Sequence, residues 1–209
     1  MEKPADTAHT IHELLRRRWS PRAYSERAVE PDKLASLFEA ARWAPSSNNE
    51  QPWSFVMATK GEAVYTRLFD CLKEGNKKWA FRAPVLMLSV ARLTFEDDGT
   101  PNRHAFHDTG MAVFSLVVQA TALGLIVHQM AGFDMERARR DLRIPDGHDP
   151  VAMIAVGYPG DPAMLPDYLR EREFKARERK AIDTFVFDGL WGASANALVV
   201  EQREPSSNP

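Results

Sequence analysis

The segment between Asp108 and Asp134 contains no Asp, Glu, Lys or Arg, and it constrains the fold more than any other part of the chain. An uncharged helix of this length must be shielded from water, either by a membrane or by the rest of the protein. Gln119 and His128 interrupt the apolar pattern, and no other segment resembles this one. We therefore expect a helix over about residues 103–125, buried inside the protein, and no membrane partner.

Length, charge and cysteine content narrow the class of protein. With 209 residues the chain has the length of a single domain. Its 27 basic and 29 acidic residues give a net charge of −2, which argues against a general nucleic-acid-binding protein. Cys71 is the only cysteine, so an internal disulfide is excluded, and the first ten residues lack the apolar run of a secretory signal. These features predict a cytoplasmic protein.

Hydrophobic periodicity predicts a mixture of helices and strands. Helices are expected over residues 8–18, from 31 to before 45, over 61–74 and from 134 onward. Strands are expected over residues 53–58, 85–91, 151–157 and 184–188. Because residues 85–91 are continuously apolar, that strand should be buried on both faces. Residues 201–209 are polar and are expected to form a disordered tail.

Several catalytic motifs are absent from the sequence. It contains no GxGxxG, no GxxxxGK[ST] and no GxSxG, so it offers no support for a Rossmann fold, a P-loop or a serine-nucleophile elbow. His104, His107 and Asp108 have a spacing that metal ligands also use. We interpret them as the polar start of a helix and expect no metal site.

The loop APSSNNEQPW, over residues 44–53, is rich in neutral hydrogen-bonding side chains. These donors and acceptors suit the edge of a heteroaromatic ring or a polyol chain. The alternative is a solvated turn, since serine and asparagine are common in turns.

Two cationic segments stand near the ends of the chain. In RRRWSPRAY, over residues 16–24, the helical period places Arg18 on the same face as Ile11 and Leu14. An inward guanidinium needs an anion or a carboxylate as partner, whereas an outward Arg18 would cap its helix. The second segment, Arg177 to Lys180, is typical of a solvated surface when considered alone.

Taken together, in this order and spacing, these segments resemble the nitroreductase family of FMN-dependent oxidoreductases. The resemblance extends over about residues 11–187. It also includes GNKKWAFRAPVLML, ATALGL, HQMAGFD and VAMIAVGYPGD. It implies an α+β, nitroreductase-like FMN-binding fold over residues 8–190, with a central, mostly antiparallel sheet flanked by helices.

The resemblance further implies an intertwined homodimer with two FMN sites at the interface, each lined by both chains. The small residues Gly110, Ala112 and Ala120 of the central helix are expected to let it pack against its twin. The C-terminal segment is expected to embrace the partner chain.

Five positions match residues that hold the charged parts of the flavin in the family. Arg18 and Ser20 match the positions at the phosphate and ribityl chain, and Arg177 and Arg179 match a basic pair at the phosphate. Arg22 matches the cation beside the N1/O2 edge of the ring, where it would stabilise the charge of the reduced flavin.

The remaining predicted contacts are neutral. The polar loop that reaches the flavin of the other subunit corresponds to Ser46, Ser47, Asn49 and Gln51. Ala131 and Gly132 match the turn whose N–H faces N5, and Asn76 falls near a position that contacts the ring. The chain departs from the family pattern in having Trp19 between Arg18 and Ser20, Tyr24 in place of phenylalanine, and Trp79 near a position that is sometimes lysine.

The implied activity is hydride transfer from NAD(P)H, through flavin N5, to a nitroaromatic, a quinone or a similar small-molecule acceptor by a ping-pong mechanism. No protein residue is expected to act as nucleophile or base. One alternative is a flavoenzyme of the same fold acting on one specific substrate, by dehydrogenation or flavin-related chemistry. Others are a non-catalytic flavin-binding protein and a domain whose arginines pair with its own carboxylates.

Overall fold

The computed structural model describes residues 2–195. Its helices are α1 (Glu13–Arg17), α2 (Pro31–Arg42), α3 (Ala63–Cys71), α4 (Glu74–Ala80), α5 (Ala105–Ala122), α6 (Met135–Asp141) and α7 (Asp167–Phe174). Its strands are β1 (Trp53–Thr59), β2 (Val85–Arg92), β3 (Ile126–Met130) and β4 (His148–Gly157). Short 3-10 turns cover Ser47–Asn49, Pro162–Met164 and Ile182–Thr184.

The four strands form one antiparallel sheet in the order β1-β2-β4-β3. Successive side chains of β2 point to opposite faces, so the strand joins two cores. Val85 and Met87 pack with α2 and α5, whereas Leu86 and Leu88 pack with α3, α4 and α6. Helices therefore cover both faces of the sheet. The predicted α+β fold with an antiparallel sheet is confirmed, as is the burial of β2 on both faces.

The central helix α5 is buried on one side only. Ala112 and Ala120 are fully buried against the sheet of their own chain. The opposite side exposes Phe106, Gly110 and Phe114, which follow one another at intervals of four residues. The expectation that Ala112 and Ala120 face a twin helix is therefore wrong, because both already fill the core of this chain. Gly110 does lie on the exposed side.

None of the helices within residues 2–195 combines the length and the apolar character that crossing a bilayer requires.

Around the central sheet, one predicted helix is corrected, and one strand and one helix were not predicted. Strand β3 was not predicted, because its apolar residues continue the uncharged run of α5, which ends near Gly124 at φ +72°. The helix predicted over 61–74 stops at Cys71, and a separate helix, α4, begins at Glu74.

Predictions at the two ends of the chain also need correction. The first helix covers only Glu13–Arg17 instead of 8–18. The strand predicted over 184–188 is wrong, because Ile182–Thr184 forms a 3-10 turn and Phe187 makes only an isolated bridge to Ser194. The domain bounds 8–190 stay a prediction, and the tail over 201–209 lies outside the described residues.

Candidate functional site

Three guanidinium groups converge near the end of α1, and we call Arg18, Arg177 and Arg179 the arginine cluster. Burial lowers the pKa of Arg18, and the charge of Arg179 lowers it further. The pKa of Arg177 is lowered by burial and then by the charges of Arg18 and Arg179. No carboxylate is among the causes of either shift. The cluster therefore concentrates positive charge that a bound anion would stabilise.

The members of the cluster differ in how far the protein already uses their donors. Arg177 donates from Nη1 to the carbonyl oxygens of Lys3 at 2.8 Å and Arg16 at 2.9 Å, and from Nη2 to that of Arg18 at 2.8 Å. It thus clamps the N-terminal segment to the end of α1. Arg179 donates to the adjacent carbonyl of Glu178 at 2.7 Å. More donors of Arg179 than of Arg177 are available to a ligand.

A cavity of about 170 Å³ adjoins this cluster. Thr121 and Leu125 line it near the end of α5, and its lining elsewhere includes Glu2, Lys3, Arg17, Arg18 and Trp19. The Lys3 ammonium also lies 4.9 Å from the centre of the Trp19 ring. The inserted Trp19 is therefore part of the cavity wall.

Arg22 is separate from the cluster in its electrostatics. Its Nη1 lies 3.2 Å from Oε1 of Glu173, and its backbone N–H donates to Oε2 at 3.1 Å. Glu173 is fully buried. Arg22 thus pairs with one of the protein's own carboxylates, as one of the alternatives expected. The contacts described for the arginine cluster are instead to backbone carbonyls.

An aromatic layer supports the segment that carries Arg22. Trp79 lies between Tyr24, at 6.1 Å between ring centres, and His128, at 4.6 Å. Tyr24 Oη donates to the carbonyl of Ala155 at 3.1 Å. His128 Nδ1 lies 3.0 Å from the carbonyl oxygen of Pro21, which assigns its proton to Nδ1.

This layer keeps its titratable groups neutral. Burial, with a further contribution from the Arg22 charge, lowers the pKa of His128 to about 4, and burial raises the pKa of Tyr24 well above its usual value. Trp79 is buried in the core. Tyr24 and Trp79, two positions at which the chain differs from the family pattern, therefore help to support residues 20–24.

Asn76 and Gly132, predicted at the ring, meet in the structure. Asn76 Nδ2 donates to the Gly132 carbonyl at 3.0 Å, and the N–H of Lys73 donates to the same oxygen at 2.9 Å. A Cβ atom at position 132 would lie 2.8 Å from Asn76 Nδ2, so a side chain at this position would push the Asn76 amide away from the Gly132 carbonyl. Ala131, the preceding residue, is exposed.

Residues 46–51 form a separate group that we call the amide loop. The N–H of Ser47 donates to Oδ2 of the buried Asp108 at 3.0 Å. Inside the loop, the N–H of Gln51 donates to Ser46 Oγ and its Nε2 to the Asn49 carbonyl, both at 3.0 Å. The loop is therefore folded by its own bonds and anchored to the first turn of α5.

The backbone of this loop adopts conformations that most residues avoid. Asn48, Asn49 and Gln51 have φ values of +52°, +56° and +50°. Left-handed backbone costs about 1–2 kcal/mol for most side chains and less for asparagine. Such strain persists only where the surroundings enforce it, and it is common at binding sites.

The neighbouring histidines do not assemble a metal site with Asp108. His107 Nδ1 lies 3.2 Å from Asp108 Oδ1, while Oδ2 anchors the amide loop. Among residues 2–195 no group of three or more His, Cys, Asp or Glu side chains is arranged to hold a metal ion.

Within one chain, the arginine cluster and the amide loop lie far apart. Asp108 holds the amide loop at the start of α5, and Thr121 lines the cavity beside Arg18 near its end. At ~1.5 Å per residue these positions are about 20 Å apart along the helix axis. The structure therefore unites Arg18, Arg177 and Arg179, and it unites Asn76 with Gly132, but it leaves Ser46, Ser47, Asn49 and Gln51 at the other end of α5.

Comparison with known proteins decides the family. The sequence pattern described as the Nitroreductase family matches residues 15–158, well over half of the chain. The chain belongs to the nitroreductase family. This nitroreductase-family chain is 36% identical to a solved structure described as an oxidoreductase containing FMN, with a TM-score of 0.86. The likeness covers 90% of this chain and 96% of that one.

Curated relatives support the same assignment. An uncharacterized 15.4 kDa protein of Mycolicibacterium smegmatis is 39% identical over 65% of this nitroreductase-family chain and 89% of its own length. A Stenotrophomonas maltophilia protein carries the name NADH dehydrogenase/NAD(P)H nitroreductase and is 27% identical. That match covers 83% of this chain and 97% of the relative.

Sequence reasoning missed two carboxylates of the nitroreductase-family site. Asp108 was considered as a metal ligand, yet it anchors the amide loop. Glu173 lies outside the segment from Arg177 to Lys180 and was given no role in the sequence analysis. Its one signal is the four-residue spacing of Leu165, Leu169 and Glu173, which continues the interval between two buried leucines with a carboxylate.

Proposed function

We propose that this protein is an FMN-dependent oxidoreductase that acts as a homodimer, with NAD(P)H as electron donor and a small nitroaromatic or quinone as acceptor. One observation carries the proposal: Arg18 lines a cavity, Arg177 donates to the Arg18 carbonyl at 2.8 Å, and the charge of Arg179 acts on both arginines. The FMN named for the structurally similar oxidoreductase supplies the anion that such a cluster needs.

The residues present fit this cofactor. A phosphate group carries about −1.5 to −2 charges, which matches the arginine cluster. Ser20 follows Arg18 of the cluster along the chain, and Arg22 lies two residues further on, with its charge already paired. This order suits a molecule with a phosphate at one end and an uncharged ring at the other. Asn76, Ala131 and Gly132 are the proposed contacts along the ring.

When bound, FMN supplies the hydride and electron transfer chemistry, so the chain's own residues have to bind and orient. Arg18 and Arg179 hold the phosphate, and Arg177 fixes the backbone around it. Arg22 donates to the N1–C2=O edge, where negative charge accumulates on reduction. The close contact between Asn76 and Gly132 fixes the turn whose backbone would lie beside N5.

Two features of the chain support a site made by two protomers. The amide loop lies about 20 Å from the cavity along α5, by the helical rise. The exposed side of α5 is apolar, with Phe106 and Phe114 each nearly half exposed at 49% and 46%. Burying this side against a second copy shields it and places the amide loop of one chain near the cluster of the other.

Titration of the purified apoprotein with FMN, followed by rapid mixing with NADH or NADPH, tests this function. We expect stoichiometric yellow complex formation and bleaching of the flavin by at least one nicotinamide, then reoxidation by an acceptor from a panel of quinones and nitroaromatics. Failure to take up FMN would refute the proposal. FMN uptake without reduction by either nicotinamide would favour an enzyme with one specific substrate or a non-catalytic flavin-binding protein.

A further inference from the structure

A buried carboxylate fixes Arg22 at two points. Glu173 lies on α7, and its side chain is 1% exposed while that of Arg22 is 24% exposed. Glu173 Oε2 accepts the backbone N–H of Arg22 at 3.1 Å, and Oε1 accepts Nη1 at 3.2 Å. The backbone and the guanidinium of one residue are therefore oriented by a single carboxylate. Other donors of the guanidinium stay available on its exposed side.

The contacts around Glu173 hold this carboxylate in place. Lys3 Nζ donates to the backbone carbonyl of Glu173 at 2.6 Å, and Arg177 clamps the carbonyl of Lys3 at 2.8 Å. The end of α7, the N-terminal segment and the segment around Arg22 are thus tied together. Glu173 also lines a cavity of about 20 Å³, which leaves it little room to move.

The carboxylate acts on Arg22 and not on the arginine cluster. The causes that lower the pKa of Arg18 and Arg177 include other arginines and no acidic group. Arg22 faces Glu173 directly, so its charge is compensated before a ligand arrives. The charges of Glu173 and Arg22 also act on Lys3, so Lys3, Arg22 and Glu173 together carry one net positive charge, against three for the arginine cluster.

We propose that Glu173 is a positioning residue that fixes Arg22 beside the ring edge of FMN and neutralises most of its charge. The inference rests on the proposed function. Arg22 then acts on the ring as an oriented hydrogen-bond donor rather than a free cation. Since a free cation would stabilise the negatively charged reduced ring more strongly, Glu173 keeps the midpoint potential of the bound flavin lower than Arg22 alone would set it.

The midpoint potential of bound FMN in Glu173→Gln tests this role. Glutamine keeps the shape of the side chain and an oxygen for the Arg22 N–H, whereas alanine would enlarge the adjoining cavity. We expect the potential to become more positive, and to return close to the wild-type value in Glu173→Asp, which restores the charge. A potential that is unchanged or more negative in Glu173→Gln would overturn the inference.

A double-mutant cycle shows whether Glu173 acts through Arg22. We expect the positive shift caused by Glu173→Gln to disappear when Arg22 is already Gln. An equal shift in both backgrounds would mean that Glu173 acts on the flavin directly, against the inference. Asp149→Asn is the control, because it breaks an ion pair at the start of β4 whose arginine, Arg139, is about as exposed as Arg22, and it should leave the potential unchanged.

Measuring FMN affinity first distinguishes failure of the proposed function from failure of this inference. A wild-type protein that binds no FMN would overturn the proposed function and this inference with it, whereas normal binding with an unchanged potential overturns the inference alone. If Glu173→Gln does not fold, the double variant Arg22→Gln, Glu173→Gln has no unpaired buried charge. Its potential should stay near the wild-type value, and a large negative shift would show that Arg22 acts as an uncompensated cation.

Discussion

The arginine cluster and the amide loop lie at opposite ends of α5 and differ in what holds them together. The cluster consists of long cationic side chains, and burial, followed by the charges of the neighbouring arginines, lowers the pKa values of Arg18 and Arg177. The amide loop carries a single charge, on Glu50, which is paired with Arg92, and it is folded by the bonds of Ser46 and Gln51 and by the anchor at Asp108. An anion would relieve the first region, whereas the second is already complete in one chain.

This difference separates binding from folding. Removing a cation from the cluster should weaken ligand binding while leaving the empty protein as stable as before, because it removes repulsion. Removing a bond from the amide loop should destabilise the empty protein, because a buried or strained group loses its partner. Each experiment below therefore measures both the FMN affinity and the free energy of unfolding of the apoprotein.

The largest effect is expected from the double variant Arg18→Ala, Arg179→Ala. A hydrogen bond to a charged group contributes about 1.5–3 kcal/mol, so FMN affinity should fall by about 100-fold or more. The free energy of unfolding of the apoprotein should be unchanged or higher. Fluorescence titration and urea denaturation measure the two quantities. Arg140→Ala removes a 70% exposed arginine of α6 and should change neither.

The second-largest effect is expected from acid, which should lower the stability of the region around Arg22. The pKa of His128 is lowered from 6.5 to about 4 in the folded protein, so the unfolded chain binds the proton first as the pH falls. Stability is therefore lost between about pH 6.5 and 4, by roughly 3 kcal/mol from this group. Arg22 is the charged group that adds to the effect.

Urea denaturation of the apoprotein at several pH values between 7.5 and 4.5 measures this loss. His128→Asn keeps a donor for the Pro21 carbonyl and removes the titrating ring. We expect the variant to be less stable than wild type at pH 7.5 and to approach it as the pH falls. Parallel curves for the two proteins would show that His128 does not contribute.

The helices and strands show how far the sequence predicts this fold. Strand β2 and helix α5 were predicted because a continuous apolar run and an uncharged segment leave few alternatives to burial. Strand β3 was missed because Ile126–Met130 extends the apolar run of α5, and only the left-handed backbone of Gly124 separates the two elements. The wrong strand at 184–188 has a suitable pattern but does not join the sheet.

The candidate site likewise contains some residues that were predicted and others that were not. The convergence of Arg18, Arg177 and Arg179 was expected only from the family resemblance, because Arg18 lies more than 150 residues before the other two and carries no local signal of their proximity. The roles of Asp108 and Glu173 could not be predicted, since both depend on which backbone N–H faces a carboxylate after folding. Patterns of residue type do not encode that geometry.

Asp108→Ala should differ from the arginine variants by destabilising the apoprotein. It leaves the Ser47 N–H without its acceptor, so the apoprotein should lose about 2 kcal/mol of stability. FMN affinity should fall as well, because the amide loop is no longer held in position. Asp108→Asn keeps one oxygen acceptor and should recover most of the loss. If Asp108→Ala weakens FMN binding without destabilising the apoprotein, the loop is not prefolded, and the contrast between the two regions is wrong.

The smallest effect concerns the left-handed backbone of the amide loop itself. Asn48 has φ +52° and ψ +22°, a conformation that costs alanine about 1 kcal/mol more than glycine. Asn48→Ala should therefore lower the free energy of unfolding by about that amount, whereas Asn48→Gly, the matched control, should leave it nearly unchanged. Equal stabilities of the two variants would show that the surroundings do not enforce the strained backbone. The amide loop would then need a ligand or a partner to order it, as the arginine cluster does.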